Sequence, residues 1–407
     1  MQVQRDTEGR PRYRVLFTSL PYLSHVLAQL PLARAMRDAG HEARFATSAA
    51  LAGMVRADGF AVVPVEFGEP PEAGLELPLR PRQPGEQPPR PRVRVAARVA
   101  PALTRAFEQW LPDVVVRDPL EYGSYLAAEH AGIPHAVGRE GPFWPPQTRQ
   151  AMLGADLDHL RGQLGLPPDP STQALYRFLA FVFAPPELLS ADTYISPVTH
   201  FIRPAPADSV SGLGDADWTP PPPGTTFVYA TLGTVFNRKN PGLLGPLIEA
   251  LAGERYQALV TAGPGRDLRP LTRFAAARNL TVLGYVPQSA VLPHCDVIVA
   301  HGGFHTVIGA LLHGLPLVLL PLGGDHARNA RWCSAQGAAL VLDEAHRDPE
   351  SIRAGIRQVL AEPGYRDAAK RLQAAMADLP GMATAVSLLE RLAATRAPIR
   401  RDAGQEG

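Results

Sequence analysis

The sequence predicts an α/β protein made of two doubly wound lobes, each with a parallel sheet. Three observations predict it: a length of 407 residues, short β-type runs alternating with helical periodicity in both halves, and a proline-rich break between the two series. A chain this long exceeds one ordinary core and suits two domains of about 200 residues each. Strands that alternate with helices argue for a parallel sheet covered on both faces.

The first series opens with Arg14-Val15-Leu16-Phe17-Thr18, a turn, and apolar residues at helical spacing (Leu27, Leu30, Leu32, Met36) as far as Gly40. That is a β-turn-α unit. Ala43 to Thr47, Ala61 to Val65, Val114 to Val116 and Pro134 to Val137 read as further buried strands, with a helix over Tyr122 to Ala131. Pro70 to Arg94, rich in proline and arginine, reads as a loop, either an insertion or a lid. A second break runs from Arg203 to Gly224 and ends in Pro220-Pro221-Pro222-Pro223, a stiff segment suited to joining two lobes. The alternation then restarts with strands at Thr226 to Thr231, Ala258 to Thr261, Leu280 to Leu283, Val297 to Ala300, Leu317 to Leu320 and Ala339 to Leu342. Helical patterns at Tyr365 to Asp378 and Ala383 to Thr395 close the chain. The expected division is 1–212 for the first lobe, 213–224 for the linker, 225–382 for the second lobe, and 383–407 for a helix crossing back, with a disordered tail. Open sheets of this kind bind ligands at the carboxyl ends of their strands, so a cleft between the lobes is the expected site.

Composition narrows the function. Hydrophobic residues make up 45% and charged ones 19%, as in a soluble globular enzyme. A formal charge of +1 supplies no field for nucleic acid. Cys295 and Cys333 make neither a disulfide framework nor a metal cluster. No apolar run reaches the roughly 20 residues that span a bilayer, and Met1 to Arg14 lacks a signal-peptide core, so no membrane insertion and a cytoplasmic location are expected. Asp156-Leu157-Asp158 falls in a helical segment and Asp215-Ala216-Asp217 in the linker, and both read as chance strings or solvated acids rather than metal ligands. No Gly-x-Gly-x-x-Gly follows the first strand, which argues against a nicotinamide dehydrogenase.

The densest motif is His301-Gly302-Gly303-Phe304-His305-Thr306, between the strand ending at Ala300 and the helical run Val307 to His313. A glycine pair at such a junction lets backbone approach a ligand, and a helix N-terminus offers N–H groups to an anion. Taken alone, the motif is either a phosphate-binding turn or a tight turn capped by Thr306. Its neighbours are Gly284-Tyr285-Val286-Pro287-Gln288 upstream and Gly314-Leu315-Pro316 and Pro321-Leu322-Gly323-Gly324-Asp325-His326 downstream.

With these motifs in series, nearly the whole chain resembles the family 1 glycosyltransferases of bacterial natural-product type. These use nucleotide sugars and have two facing Rossmann-like lobes, the GT-B fold. The resemblance implies a donor site in the second lobe. Tyr285, Val286 and Gln288 match the loop that holds the base and ribose; His301, Gly302, Gly303, Phe304, His305 and Thr306 match the diphosphate clamp; and Thr234 matches a loop facing the same phosphates. Asp325 and His326 match an Asp-Gln pair that binds donor-sugar hydroxyls, with His in place of Gln. Gly309 stands where the family usually has a Glu that receives ribose hydroxyls. A carboxylate there is useful only if the nucleotide has a 2′-hydroxyl, so a dTDP-sugar is expected over a UDP-sugar; alternatively, another residue serves the ribose.

In the first lobe Ser24-His25 opens a helix that continues Leu30-Pro31-Leu32-Ala33. A lone His there is ordinarily a capping or solvent residue. The resemblance makes His25 the general base, with Ser24 where Gly is usual, and makes Asp118, after Val114-Val115-Val116-Arg117, its orienting partner. Imidazole is suited to base work near neutral pH, and a carboxylate on its far nitrogen fixes the tautomer. Otherwise Asp118 caps the following segment; Asp113 reads as a strand-leading cap. The implied enzyme is a hexosyltransferase-type glycosyltransferase that needs no cofactor and no metal and inverts the anomeric carbon. It would pass sugar from a dTDP- or UDP-sugar to a hydroxyl of a small hydrophobic aglycone, a secondary metabolite as in antibiotic biosynthesis. Gly141-Pro142-Phe143-Trp144 and Tyr176 to Phe183 either line the aglycone pocket or pack the core. A homodimer is left open. The alternatives are an inactive nucleotide-sugar-binding helper subunit and a nucleotide-sugar epimerase.

Overall fold

The computed structural model describes residues 4–5, 9, 11–65, 90–138, 144–191, 193–206, 218–233, 241–264, 266–269, 271 and 277–401. The chain divides into two compact units: residues 1–183, 191–205 and 380–407, and residues 184–190 and 206–379.

The first unit is built on a seven-stranded parallel sheet. Its strands are β1 (Arg14–Thr18), β2 (Glu42–Thr47), β3 (Ala61–Pro64), β4 (Val114–Arg117), β5 (His135–Val137), β6 (Leu179–Val182) and β7 (Thr199–Phe201). They lie in the order β3-β2-β1-β4-β5-β6-β7, with Thr18 opposite Arg117 at the carboxyl ends of β1 and β4. The connecting helices are α1 (Leu23–Asp38), α2 (Ala49–Ala57), α3 (Pro91–Gln109), α4 (Gly123–His130), α5 (Pro146–Arg149) and α6 (Ala155–Gln163). β4 is wholly buried, as a run of three valines covered on both sheet faces should be. Leu16 and Val115 pack with Leu103 of α3 and Ala127 of α4 in one core.

One expectation needs correction. Residues 91–94, read with the loop, instead open α3, because Pro91 suits a first helical turn and Val93 and Ala96 begin its buried face. Of the two readings left open for Tyr176 to Phe183, core packing holds for β6 (Leu179–Val182), whose four residues are all buried. Residues 70–89, 141–143, 207–217 and 402–407 of the stretches discussed above lie outside the described residues.

The second unit repeats the plan with six parallel strands: β8 (Phe227–Thr231), β9 (Gln257–Thr261), β10 (Leu280–Leu283), β11 (Val297–Ala300), β12 (Leu317–Leu319) and β13 (Ala339–Val341). The order is β10-β9-β8-β11-β12-β13. Its helices are α7 (Leu244–Leu251), α8 (Gln288–Val291), α9 (Phe304–Leu312), α10 (His326–Ala335), α11 (Pro349–Ala361) and α12 (Pro363–Ala377). Leu247 and Ile248 of α7 and Ile352 and Ile356 of α11 meet β8, β9 and β11 in its core.

The last helix, α13 (Met382–Thr395), belongs to the first unit. Glu390 on α13 lies 3.0 Å from Nε2 of His41, just before β2, and the backbone N–H of Ile399 bonds to the Phe178 carbonyl. Among the described residues no single helix is long and apolar enough to cross a membrane.

In each sheet the winding reverses between two neighbours, β1 and β4 or β8 and β11, so the loops leaving them diverge and open a crevice at the strands' carboxyl ends. The residues singled out in the sequence follow these four strands or stand near them.

Candidate active site

In the first unit His25 is the third residue of α1, and Asp118 directly follows β4. Nδ1 of His25 lies 2.5 Å from Oδ2 of Asp118. The carboxylate is buried at 3% exposure, whereas the imidazole keeps 19%. The second oxygen, Oδ1, accepts the Leu120 N–H at 2.8 Å. With Nδ1 engaged by a carboxylate, Nε2 is the nitrogen available to exchange a proton with a ligand.

The Asp118 loop is braced from several sides. Its backbone N–H bonds to the Thr18 carbonyl, which also receives Nε2 of Gln29 at 2.6 Å. Arg117, fully buried, donates to the Asp118 and Leu175 carbonyls. Glu121, also fully buried, accepts the Gly123 N–H at 2.6 Å, the Ser124 N–H at 3.0 Å and the Thr18 hydroxyl at 3.2 Å. Burial pushes the Glu121 carboxyl up, outweighing its hydrogen bonds and Arg117; burial pushes Arg117 down. Sequence reading did not single out Arg117, Glu121 or Gln29. The available signal was Asp118-x-x-Glu121 with Gly123 opening a helix, a pattern in which a carboxylate satisfies first-turn N–H groups. Asp113 accepts the Arg14 N–H at 2.7 Å and so pins the start of β1. Asp158 accepts the Asp169 N–H, tying α6 to its following loop. Among the described residues no three His, Cys, Asp or Glu side chains converge as a metal site.

In the second unit His301, Gly302 and Gly303 join β11 to α9, which starts at Phe304, one turn earlier than the sequence pattern indicated. Helical bonding begins with Val307 N–H to Gly303 O, so residues 304–306 form the first turn. The His301 ring lies in a cradle of two glycines. A Cβ on Gly233 would stand 2.6 Å from its Nε2, and one on Gly303 would overlap the same atom. Gly302, at φ +84°, sits against the His326 backbone in a conformation L side chains rarely adopt.

Burial, followed by the neighbouring His326, pushes His301 down to about 3, so the ring is neutral at pH 7. The His326 ring meets it edge-on with centroids 4.6 Å apart. Its Nδ1 accepts the Leu322 N–H at 3.2 Å, which places its ring proton on Nε2. Burial lowers His326 as well, with Asp325 acting in the other direction.

Asn329, one turn along α10 and not anticipated, donates from Nδ2 to the Gly302 carbonyl at 2.9 Å and to Oδ2 of Asp325 at 3.0 Å. It ties the glycine turn to the Asp325-His326 loop. The Asp-x-x-x-Asn spacing marks that pairing, but only the fold supplies the Gly302 contact.

Nε2 of Gln288 donates to the Thr306 hydroxyl at 3.1 Å. The space over Gly309 is taken by Leu292 and the Gln288 amide, 3.1 and 3.6 Å from where a Cβ would stand. Val286 and Phe304 are buried, leaving their backbones as the parts able to meet a ligand, and Tyr285 and His305 are half-buried. Thr234 lies outside the described residues.

Residues 266–392 match the erythromycin biosynthesis protein CIII-like C-terminal domain. Over the whole chain, similarity extends to the 3-alpha-mycarosylerythronolide B desosaminyl transferase of Saccharopolyspora erythraea, 27% identical across 94% of this chain and 99% of the relative. The 10-deoxymethynolide desosaminyltransferase of Streptomyces venezuelae is 29% identical across 94% and 97%. The glycosyltransferase SnogD from Streptomyces nogalater superposes with a TM-score of 0.74 at 28% identity, covering 94% of this chain and 99% of that one. The chain is a GT-B glycosyltransferase. Its two parallel sheets are those of the fold, and both polar constellations of the glycosyltransferase lie at the carboxyl ends of strands flanking a reversal in winding, where open α/β sheets take their ligands.

Proposed function

We propose that this glycosyltransferase moves a sugar from a dTDP-sugar to a hydroxyl of a small apolar aglycone, inverting the anomeric carbon and using no metal. The observation that carries the reading is the contact of 2.5 Å between His25 Nδ1 and Asp118 Oδ2. Asp118 holds the proton of His25 on Nδ1 and leaves Nε2 as the base. Nε2 takes the acceptor's hydroxyl proton as that oxygen forms its bond to the anomeric carbon. The bond from that carbon to the diphosphate breaks on the opposite face, and its electron pair leaves with the phosphate oxygen. Asp118 then faces an imidazolium and stabilises it.

On the donor side the first turn of α9 and the neutral His301 supply N–H donors to the departing diphosphate, the role a metal plays elsewhere. Asp325 and His326 are the proposed contacts of the donor sugar, and the Tyr285 to Gln288 loop holds the nucleoside. Thr234, from the resemblance alone, is assigned to the phosphates. The dTDP preference is supported by Gly309, which offers no carboxylate to a ribose 2′-hydroxyl and is roofed by Leu292 and Gln288. The names of the relatives, desosaminyl transferases of 3-alpha-mycarosylerythronolide B and of 10-deoxymethynolide, support a secondary-metabolite acceptor.

His25→Ala tests the reading. Transfer to a hydroxyl acceptor should fall at least ~100-fold with dTDP affinity retained; undiminished turnover would remove the base assignment. Retention of configuration in the product, read by NMR, would remove the single displacement.

A further inference from the structure

Tyr22 is one of two large hydrophobic side chains left exposed among the described residues, at 43%; the other is Leu111. A lone exposed ring is ordinary on a protein surface. The position of Tyr22 is not. Leu111 stands before β4, at the amino edge of the sheet, whereas Tyr22 follows β1 at the carboxyl edge, and its ring centroid is 5.4 Å from that of His25.

The backbone of Tyr22 is held firmly. Its N–H bonds to the Leu20 carbonyl at 2.7 Å, and its own carbonyl accepts the N–H groups of His25 and Val26 at 3.0 and 3.2 Å. It is the N-cap of α1, with extended backbone and no capping bond from its side chain. Helices prefer Ser, Thr, Asp or Asn at that position, because those side chains accept a first-turn N–H, and a phenol ring does not. Helix stability therefore gives no reason for tyrosine here, and burial gives none either. The residue stays partly exposed, at 43%, directly beside the His25 imidazole.

We infer that Tyr22 is a specificity-determining residue of the acceptor site: its ring stacks on a flat, conjugated acceptor and brings a hydroxyl on that acceptor to Nε2 of His25. The inference rests on the reading of His25 as the base. An aromatic face favours another in offset or edge-to-face contact, and the rigid turn gives that contact one fixed height above α1.

The test uses the full chain and two probes, a dihydroxyanthraquinone and a saturated macrolactone alcohol, with binding of each titrated alongside dTDP. Tyr22→Ser supplies a good helix cap while removing the ring, so the melting temperature should hold or rise; Tyr22→Phe keeps the ring. Anthraquinone affinity should fall about tenfold or more in Tyr22→Ser and stay within about twofold in Tyr22→Phe, with dTDP affinity unchanged in both. Equal anthraquinone affinity in Tyr22→Ser and the parent overturns the inference. So does a parent enzyme that binds the macrolactone and not the anthraquinone, or that binds neither. His25→Ala separates the two readings. It should lose transfer and give up no more anthraquinone affinity than one hydrogen bond supplies, about tenfold; if it still transfers sugar, the base assignment fails and the binding result for Tyr22 is judged by itself.

Discussion

The side chains of His25 and Asp118, 93 residues apart in sequence, meet at 2.5 Å because β1 and β4 are neighbours in the sheet. Asp118 accepts from both Leu120 and His25, so its oxygens are both committed. Asp118→Asn keeps the shape but offers an amide where His25 needs a carboxylate. The tautomer is then released and the imidazolium loses its counter-charge. The expected loss in kcat is on the order of 10²- to 10⁴-fold, with the melting temperature little changed; steady-state kinetics beside thermal unfolding checks both.

The glycine cradle around His301 predicts a steric effect. Gly303→Ala puts a methyl group on Nε2 of His301, and Gly233 already stands close to the same nitrogen. The imidazole must move out of its position at the α9 N-terminus. Calorimetric titration should show dTDP affinity reduced at least ~10-fold, since one charge-assisted hydrogen bond is worth about 1.5–3 kcal/mol. Gly302→Ala should also destabilise the fold, because φ there is +84°.

Nucleotide choice is tested at Gly309. The parent enzyme should bind dTDP more tightly than UDP in a competition titration. Gly309→Glu adds an acceptor for a ribose 2′-hydroxyl, at the cost of displacing Leu292, whose Cδ1 is 3.1 Å from the new Cβ. The ratio should move toward UDP by about 10-fold, while absolute affinity for both falls. A parent that prefers UDP would remove the argument from Gly309.

Acid sensitivity is predicted from His135, which is fully buried in β5 between Tyr125 and Phe178. Burial pushes it down to about 4, and Glu129, 3.4 Å from Nε2, only partly opposes this, with Arg117 and Arg177 adding to the depression. The unfolded chain, with an ordinary value near 6.5, takes up this proton first as pH falls. The stabilising effect of neutral His135 is therefore whole above about pH 6.5 and is lost as pH drops toward 4. Between pH 7 and pH 5 the loss is about 2 kcal/mol. His135→Phe removes that titration, so denaturant unfolding at the two pH values should show a smaller difference in the variant than in the parent.

Most strands were legible because a parallel sheet covered on both faces demands short runs of Val, Leu, Ile and Ala, and Val114-Val115-Val116 or Val297-Ile298-Val299 have few other uses. β6 and β7 were missed: the first was hidden among aromatic residues that also suit a pocket, and the second, Thr199–Phe201, is too short and too polar to show a period. α3 begins inside a stretch whose prolines and arginines suggested a loop, since proline breaks a helix interior but is welcome in its first turn.

The sequence by itself determined the β-α alternation, the glycine turn after β11 and, through resemblance, the names of the residues to watch. Those signals are local, carried by spacing of a few residues and by side-chain type. Only the tertiary structure decided that Glu121 and Arg117 brace the Asp118 loop, that Asn329 ties Gly302 to Asp325, and that Gly233 and Gly303 enclose the His301 ring. The reason is that these contacts depend on strand order. The reversal of winding that sets β1 beside β4 and β8 beside β11 is chosen by the packing of the whole sheet, and no local period encodes it.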